Sequence, residues 1–230
     1  MICWARKRTH PSSDSCKLRP MSNQNITIEV VKTAFRKACS ALRENSDYLI
    51  SLDQALGDGD LGITARKIAN AVESYIESGV SQEDIGKFVM TAGMKINSAA
   101  PSTMGSLLAI ALMQAGRLAK DKAEIDPAQV AAMLRAAVQS IQEKGKAKLG
   151  DKTMLDALHP AVEAYAGAIA SGKEITVAAN EMAAAAEKGL NDVTPLRNKV
   201  GRAGWLGERT EGKIDPGCAL VVVILKSLAA

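Results

Sequence analysis

Apolar residues recur along this chain at the spacing of one helix face, and no series of alternating, strand-like runs competes with them. Between residues 26 and 52 they fall at Ile28, Val31, Ala34, Phe35, Ala38, Leu42, Leu49 and Leu52, which predicts one helix. The same period returns from Ile63 to Ser78, from Ser81 to about Ala99, and from Leu107 to Leu118. Aromatic residues make up only 3% of the chain against 47% hydrophobic, so Ala, Leu, Val, Ile and Met must fill the core. Ala, which recurs throughout, is the strongest helix former. The fold class that follows is all-α, a single domain of about eight helices.

Turn and cap residues set the expected boundaries. Ser81 serves as an N-cap with Asp84 in the acidic first turn, and Asp126-Pro127 places a cap before a proline at the first helical position. That helix runs to about Gly145. A basic loop, Lys144–Lys148, follows, and Gly150-Asp151-Lys152-Thr153 opens the next helix, with Asp151 read as its N-cap. An Ala-rich helix spans Thr176–Leu190. Residues 191–217 then hold Pro195, Gly201, Gly204, Gly207, Gly212, Pro216 and Gly217. A loop of that length inside a compact domain is usually functional or disordered. Within it Trp205 reads as a packing anchor and Asp215-Pro216-Gly217 as a turn. Ala219–Leu228 closes the chain as an apolar helix.

The formal net charge of +4 resides in the first 20 residues, where Arg6, Lys7, Arg8, Lys17 and Arg19 face only Asp14. The remainder is neutral, so no basic face for nucleic acid is expected. This tail has no apolar stretch of a secretion signal; it reads as a weak transit-like segment or, the favoured reading, as a translated upstream extension with Met21 as the functional start, with disorder to about residue 24 and residues 25–230 as the folded domain. Cys3, Cys16, Cys39 and Cys218 lie far apart with no CxxC pair, which fits a reduced, cytoplasmic setting. No apolar run reaches membrane-spanning length, so no membrane partner is expected.

One stretch carries chemistry: Leu52-Asp53-Gln54-Ala55-Leu56-Gly57-Asp58-Gly59-Asp60-Leu61-Gly62-Ile63-Thr64. Three carboxylates this close repel one another unless a cation sits among them. Mg²⁺ is a hard cation, usually held by carboxylates together with phosphate oxygens. On one continuous helix Asp58 would point roughly 140° away from Asp53. The glycines argue instead for Asp53 on a last helical turn, with Asp58 and Asp60 in a loop that turns all three inward.

These residues resemble a known family, the nucleotide-binding subunits of dihydroxyacetone kinase, called DhaL. The acidic stretch is similar to that family's LDxxIGDGDHG motif. Gly150–Leu158 is similar to its GDKTMxDAL segment. Gly201–Arg209 with Asp215-Pro216-Gly217 is similar to its GRASYLGER…DPG segment. The resemblance spans about residues 27–228. It implies a barrel of eight antiparallel helices with a nucleotide at one end. It also implies two Mg²⁺ ions on Asp53, Asp58 and Asp60, holding the phosphates of ADP or ATP. Leu61, Gly62, Ile63 and Thr64 match phosphate-contacting positions. Thr103 and Met104 stand in place of a Gly-Gly-Ala-Ser-Gly-Pro loop over the nucleotide. Gly145 and Met154 match positions beside the base, and Arg202 with Asp215, Pro216 and Gly217 matches the C-terminal contacts. Without the resemblance, Met104 and Met154 read as core filler, and Arg202 as a phosphate ligand or a structural ion-pair partner.

In that family the keto-sugar is bound covalently to a histidine of a separate subunit, DhaK. The chain's two histidines, His10 and His159, lie outside the matching motifs, and His159 reads as structural. The resemblance therefore implies a half-enzyme, active with a DhaK-like partner. A DhaM-like phosphocarrier would recharge bound ADP if the donor is phosphoenolpyruvate; otherwise ATP exchanges each turnover. A homodimer is compatible with the sequence. Two departures bear on the donor and the sugar: Leu61 stands where phosphoenolpyruvate-coupled subunits commonly carry His, and Pro101–Ser106 lacks the double glycine. They leave room for a related keto-sugar such as erythrulose. A non-catalytic Mg-nucleotide module that regulates another protein by docking would keep the same acidic loop.

Overall fold

The computed structural model describes residues 25–79 and 83–229. The expected disorder of residues 1–24, the start at Met21 and the Ser81 cap lie outside the described residues. Nine α-helices account for most of the rest: α1 (Ile28–Glu44), α2 (Ser46–Leu56), α3 (Leu61–Glu77), α4 (Ile85–Ala99), α5 (Thr103–Arg117), α6 (Pro127–Gly145), α7 (Met154–Ala170), α8 (Ile175–Val193) and α9 (Pro216–Ala229). A 3₁₀ segment, Ala203–Thr210, lies between α8 and α9. Two dipeptide strands, β1 (Ile26–Thr27) and β2 (Glu124–Ile125), pair antiparallel and tie the entry of α1 to the loop before α6. The class is all-α, as the periodicity predicts.

Helices adjacent in sequence pack side by side from α3 to α9, and α1 packs against both α3 and α9, so eight helices close into a ring. The short α2 fills the corner between α1, α3 and α9. Short connections force an up-and-down course. The C-terminus of α2 and the N-termini of α3, α5, α7 and α9 therefore share one end of the ring. Every motif singled out above lies at that end.

Few aromatics means that backbones must come close, and glycines set the closeness. A Cβ on Gly86 of α4 would run into the carbonyl of Gly116 in α5, and one on Gly93 would sit 2.7 Å from the Ala109 carbonyl. Pro160 inside α7 lacks the amide that would bond the Asp156 carbonyl. Gly189 of α8 approaches that same carbonyl so closely that a Cβ there would overlap it. Phe88, fully buried, meets Phe35 edge-on at 5.3 Å and Tyr75 face-on at 5.4 Å.

The structure departs from the expected boundaries at five places. The helix predicted across 26–52 is two helices, because Asn45 breaks it: both its amide and its side-chain Nδ2 donate to the Ala41 carbonyl, at 3.0 and 2.9 Å. A side chain that competes for the helical acceptor ends the helix there. Asp84, not a first-turn residue, is the N-cap of α4: it accepts from the Lys87 amide at 2.9 Å and from the Asp121 amide at 3.0 Å. α5 begins at Thr103 rather than Leu107, since Ser102 caps it through the Gly105 amide. Thr153, not Asp151, caps α7, in a capping box with Asp156. Asp215-Pro216-Gly217 is not a turn but the start of α9, with Pro216 at its first position. Thr153→Ala removes a cap and is expected to cost about 1 kcal/mol in urea unfolding.

Candidate functional site

Asp53 lies on the last turn of α2, and Asp58 and Asp60 follow in the loop, as the residue spacing predicts. Carboxylate oxygens of the three come within 4.8 Å of one another. Two of the loop glycines shape this. Gly59 has φ +75°, which L-residues rarely adopt. Gly57 is extended, but a Cβ on it would sit 2.7 Å from Asp53 Oδ1 and displace the carboxylate. The Leu61 amide, first of α3, donates to Asp53 Oδ2 at 3.1 Å and fixes the carboxylate across the loop.

The electrostatics leave a charge to be balanced. Burial pushes Asp53 above the ordinary carboxylate value, the Leu61 amide pulls it back, and the charges of Asp58 and Asp60 add to the rise. Arg202, reaching in from the far end of the chain, forms an ion pair with Asp58. One guanidinium against three carboxylates leaves the cluster net negative. All donors here are oxygens, the ligand set of a hard divalent cation. The residues present therefore fit Mg²⁺ by donor chemistry, by convergence and by uncompensated charge.

Beside the carboxylates opens a cavity of about 270 Å³. Asp53, Asp60, Leu61 and Arg202 line one part of it, and Met104, Leu107, Ile141, Gly145 and Met154 supply apolar wall. Asp215, Pro216, Gly217 and Thr103 also line it. The N-termini of α3, α5, α7 and α9 contribute Leu61, Thr103, Met154 and Pro216–Gly217 to this lining. Free amides and aligned dipoles at helix starts favour anions.

The positions read from the sequence fall into two groups. Asp53, Asp60, Leu61, Thr103, Met104, Gly145, Met154, Arg202, Asp215, Pro216 and Gly217 share the cavity, and Asp58 joins through the carboxylate cluster and Arg202. Gly62, Ile63 and Thr64 do not line it. Gly62 presses its α-carbon against the Ser46 carbonyl of α2, the Thr64 side chain is buried, and Ile63 faces outward. Trp205, expected as a packing anchor, is 91% exposed. Its segment follows a kinked path, with Gly207 at φ +57°.

Sequence reasoning gave no role to Lys152, Asp156 and Asn198. Asp156 accepts from the Gly150 and Thr153 amides at 2.5 and 2.7 Å and shapes the loop entering α7. Asn198 Nδ2 donates to the Lys152 carbonyl at 2.7 Å and to Asp215 Oδ2 at 3.0 Å. Asp215 also accepts from the Cys218 amide at 2.8 Å. Burial pushes its carboxyl upward, and these two donors hold it back. Lys152 stood inside a quoted motif, so a lysine between a turn and a cap was the available signal; Asn198 offered none.

The model of the DAK2 domain matches residues 55–230. The chain belongs to the DAK2-domain family, of the DhaL type. It is 31% identical over 192 residues to an ADP-binding subunit DhaL of a PEP-dependent dihydroxyacetone kinase from Listeria innocua, covering 81% of this chain and 88% of that one. The corresponding Escherichia coli subunit is 28% identical over 184 residues, covering 80% and 87%. An L-erythrulose kinase of Pectobacterium atrosepticum is 31% identical over 201 residues; the match covers 87% of this DhaL-type chain but 34% of that longer protein. The fold is similar to the crystal structure of the C. freundii dihydroxyacetone kinase in complex with AMP-PNP and Mg²⁺, with a TM-score of 0.69 at 22% identity. That match covers 98% of this chain and 38% of the other. Among the described residues no helix is long and apolar enough to cross a membrane.

Proposed function

We propose that this chain is the nucleotide-binding half of a dihydroxyacetone kinase-type phosphotransferase, and that it passes a phosphoryl group to a small keto-sugar held by a DhaK-like partner. The observation that carries the reading is the convergence of Asp53, Asp58 and Asp60 at the ring end where four helix N-termini line one cavity. The names of its DhaL relatives, which are ADP-binding subunits, support the same reading. Dihydroxyacetone is the first candidate sugar, and the kinship with an L-erythrulose kinase keeps erythrulose as the second.

Asp53, Asp58 and Asp60 would hold two Mg²⁺ ions, which when bound neutralise polyphosphate charge and align the terminal group. The residues of the chain supply position rather than covalent chemistry, as phosphoryl transfer requires. The amides of Gly62 and Ile63 have no helical acceptor at the start of α3 and would donate to phosphate oxygens, with the Thr64 hydroxyl behind them. Arg202 would exchange Asp58 for phosphate in a fork geometry. Thr103 and Met104 from α5, Gly145 from α6 and Met154 from α7 would enclose the base. Asp215, Pro216 and Gly217 would close the floor.

The test has two stages. Calorimetry with Mg²⁺ present should register ADP binding; none would refute a nucleotide site. The chain is then mixed with a DhaK-like protein and dihydroxyacetone or erythrulose, once with ATP and once with a phosphoenolpyruvate phosphorelay that includes a DhaM-like carrier. A sugar phosphate in either mixture is expected, and the productive mixture identifies the donor. Nucleotide bound with no sugar phosphate under both donors would overturn the kinase reading.

A further inference from the structure

Among the described residues Lys152 is the buried cation, with 0% exposure. An ammonium has three donors. All three are taken by main-chain carbonyls: Thr194 at 2.8 Å, Leu196 at 2.8 Å and Thr210 at 2.6 Å. Thr194 and Leu196 lead out of α8, and Thr210 ends the 3₁₀ segment, so one side chain draws together both feet of the stretch that carries Arg202. Lys152 itself adopts φ +60°, and its own carbonyl accepts from Asn198, which also holds Asp215. Thr210 Oγ1 accepts from the Asn198 amide at 3.0 Å and donates to the Gly207 carbonyl at 2.8 Å. The loop 194–210 is thus sutured at its root to the entrance of α7.

We infer that Lys152 is a positioning residue for the nucleotide: its ammonium closes the base of loop 194–210, so that Arg202 is held toward the carboxylate cluster and Asp215 at the cavity wall. The inference rests on the nucleotide reading above. Lys152 makes no bond to Asp53, Asp58 or Asp60, which belong to α2 and the loop before α3. Replacing it with an apolar residue of similar length takes the ammonium from three loop carbonyls: Leu196 loses its donor, and Thr194 and Thr210 keep only the amides of Gly212 and Lys213. The penalty for unpaired buried acceptors therefore falls on the loop and not on the metal cluster. That separates positioning from a general contribution to stability.

The experiment compares the full chain with Lys152→Met. Mn²⁺ binding without nucleotide is followed by electron paramagnetic resonance, ADP binding with Mg²⁺ by calorimetry, and backbone opening by hydrogen exchange. In the variant Mn²⁺ affinity should not fall, exchange should rise within 194–210, and ADP affinity should fall about tenfold to a hundredfold. Equal ADP affinity in variant and parent overturns the inference, as does a parallel loss of Mn²⁺ and ADP binding. If the parent itself binds no ADP, the nucleotide reading fails first, and that result is distinct from the other two. Should Lys152→Met not fold, Lys152→Gln removes the charge and at least one of the three donors while keeping part of the hydrogen bonding to the loop carbonyls. It should reproduce the split at smaller size, and unaltered ADP affinity there also overturns the inference.

Discussion

Asp58→Ala is expected to abolish magnesium-dependent ADP binding while the helical circular dichroism stays intact. Losing only an outer partner of a metal ligand typically costs about 10–100-fold in affinity. Losing a ligand from a cluster of three should cost more than about a hundredfold. The fold should not notice. Asp58 lies in the loop between α2 and α3, about half exposed, and its ion-pair partner is the equally exposed Arg202. An exposed pair of that kind contributes little to stability. The substitution also frees Arg202, so any direct pairing of that guanidinium with phosphate would be left unopposed. A calorimetric titration that shows ADP binding as tightly as in the parent would remove Asp58, and with it the proposed three-carboxylate site.

Gly62→Ala should destabilise the protein by about 3 kcal/mol, at the upper end of what overpacking a tight core costs. A Cβ at Gly62 would collide with the Ser46 carbonyl and lie 2.6 Å from Ile50 Cγ1, both on α2. Backbone cannot rotate out of the way as a flexible side chain can. The helices must separate, and the bond from the Leu61 amide to Asp53 lies across the same junction. Chemical denaturation should register the loss as a lower midpoint with unchanged slope. Gly167→Ala is the matched control, since nothing lies within 4 Å of its added methyl. There the better helix former should be neutral or stabilising by about 0.5–1 kcal/mol. Equal stability of the Gly62 variant and the parent would show that α2 and α3 are not locked by this contact.

Much of this arrangement was legible in the residues. Apolar spacing and scarce aromatics led to an all-α chain, and the glycines among Asp53, Asp58 and Asp60 led to a break in the helix before any contact was known. The local reading missed where two signals compete. Asn45 looks like any polar helix residue until its side chain takes the Ala41 carbonyl. Asp151 and Thr153 are both good caps, and the choice fell to Thr153 because Asp156 stands three residues on to complete the box. Gly62 matches a phosphate-contacting position; its close packing on Ser46 had no local signal, because it depends on a helix brought near only through the fold. Lys152 was hardest, because its partners lie 42 to 58 residues away.

The closure of the ring has a consequence for how the protein comes into being. From α3 to α9 each helix packs on its sequence neighbours, so these contacts can form as the chain lengthens. The seam between α1 and α9 cannot; it joins the first and the last of the described helices and must wait for α9. Long-range closures of this kind are slow steps. α9 begins at Pro216, and Asp215 arrives with it. A nascent chain still lacking α9 would already carry its three aspartates, yet have no floor to its pocket. Translation of α9 would then be the event that completes the pocket, and a product truncated before it should bind no nucleotide.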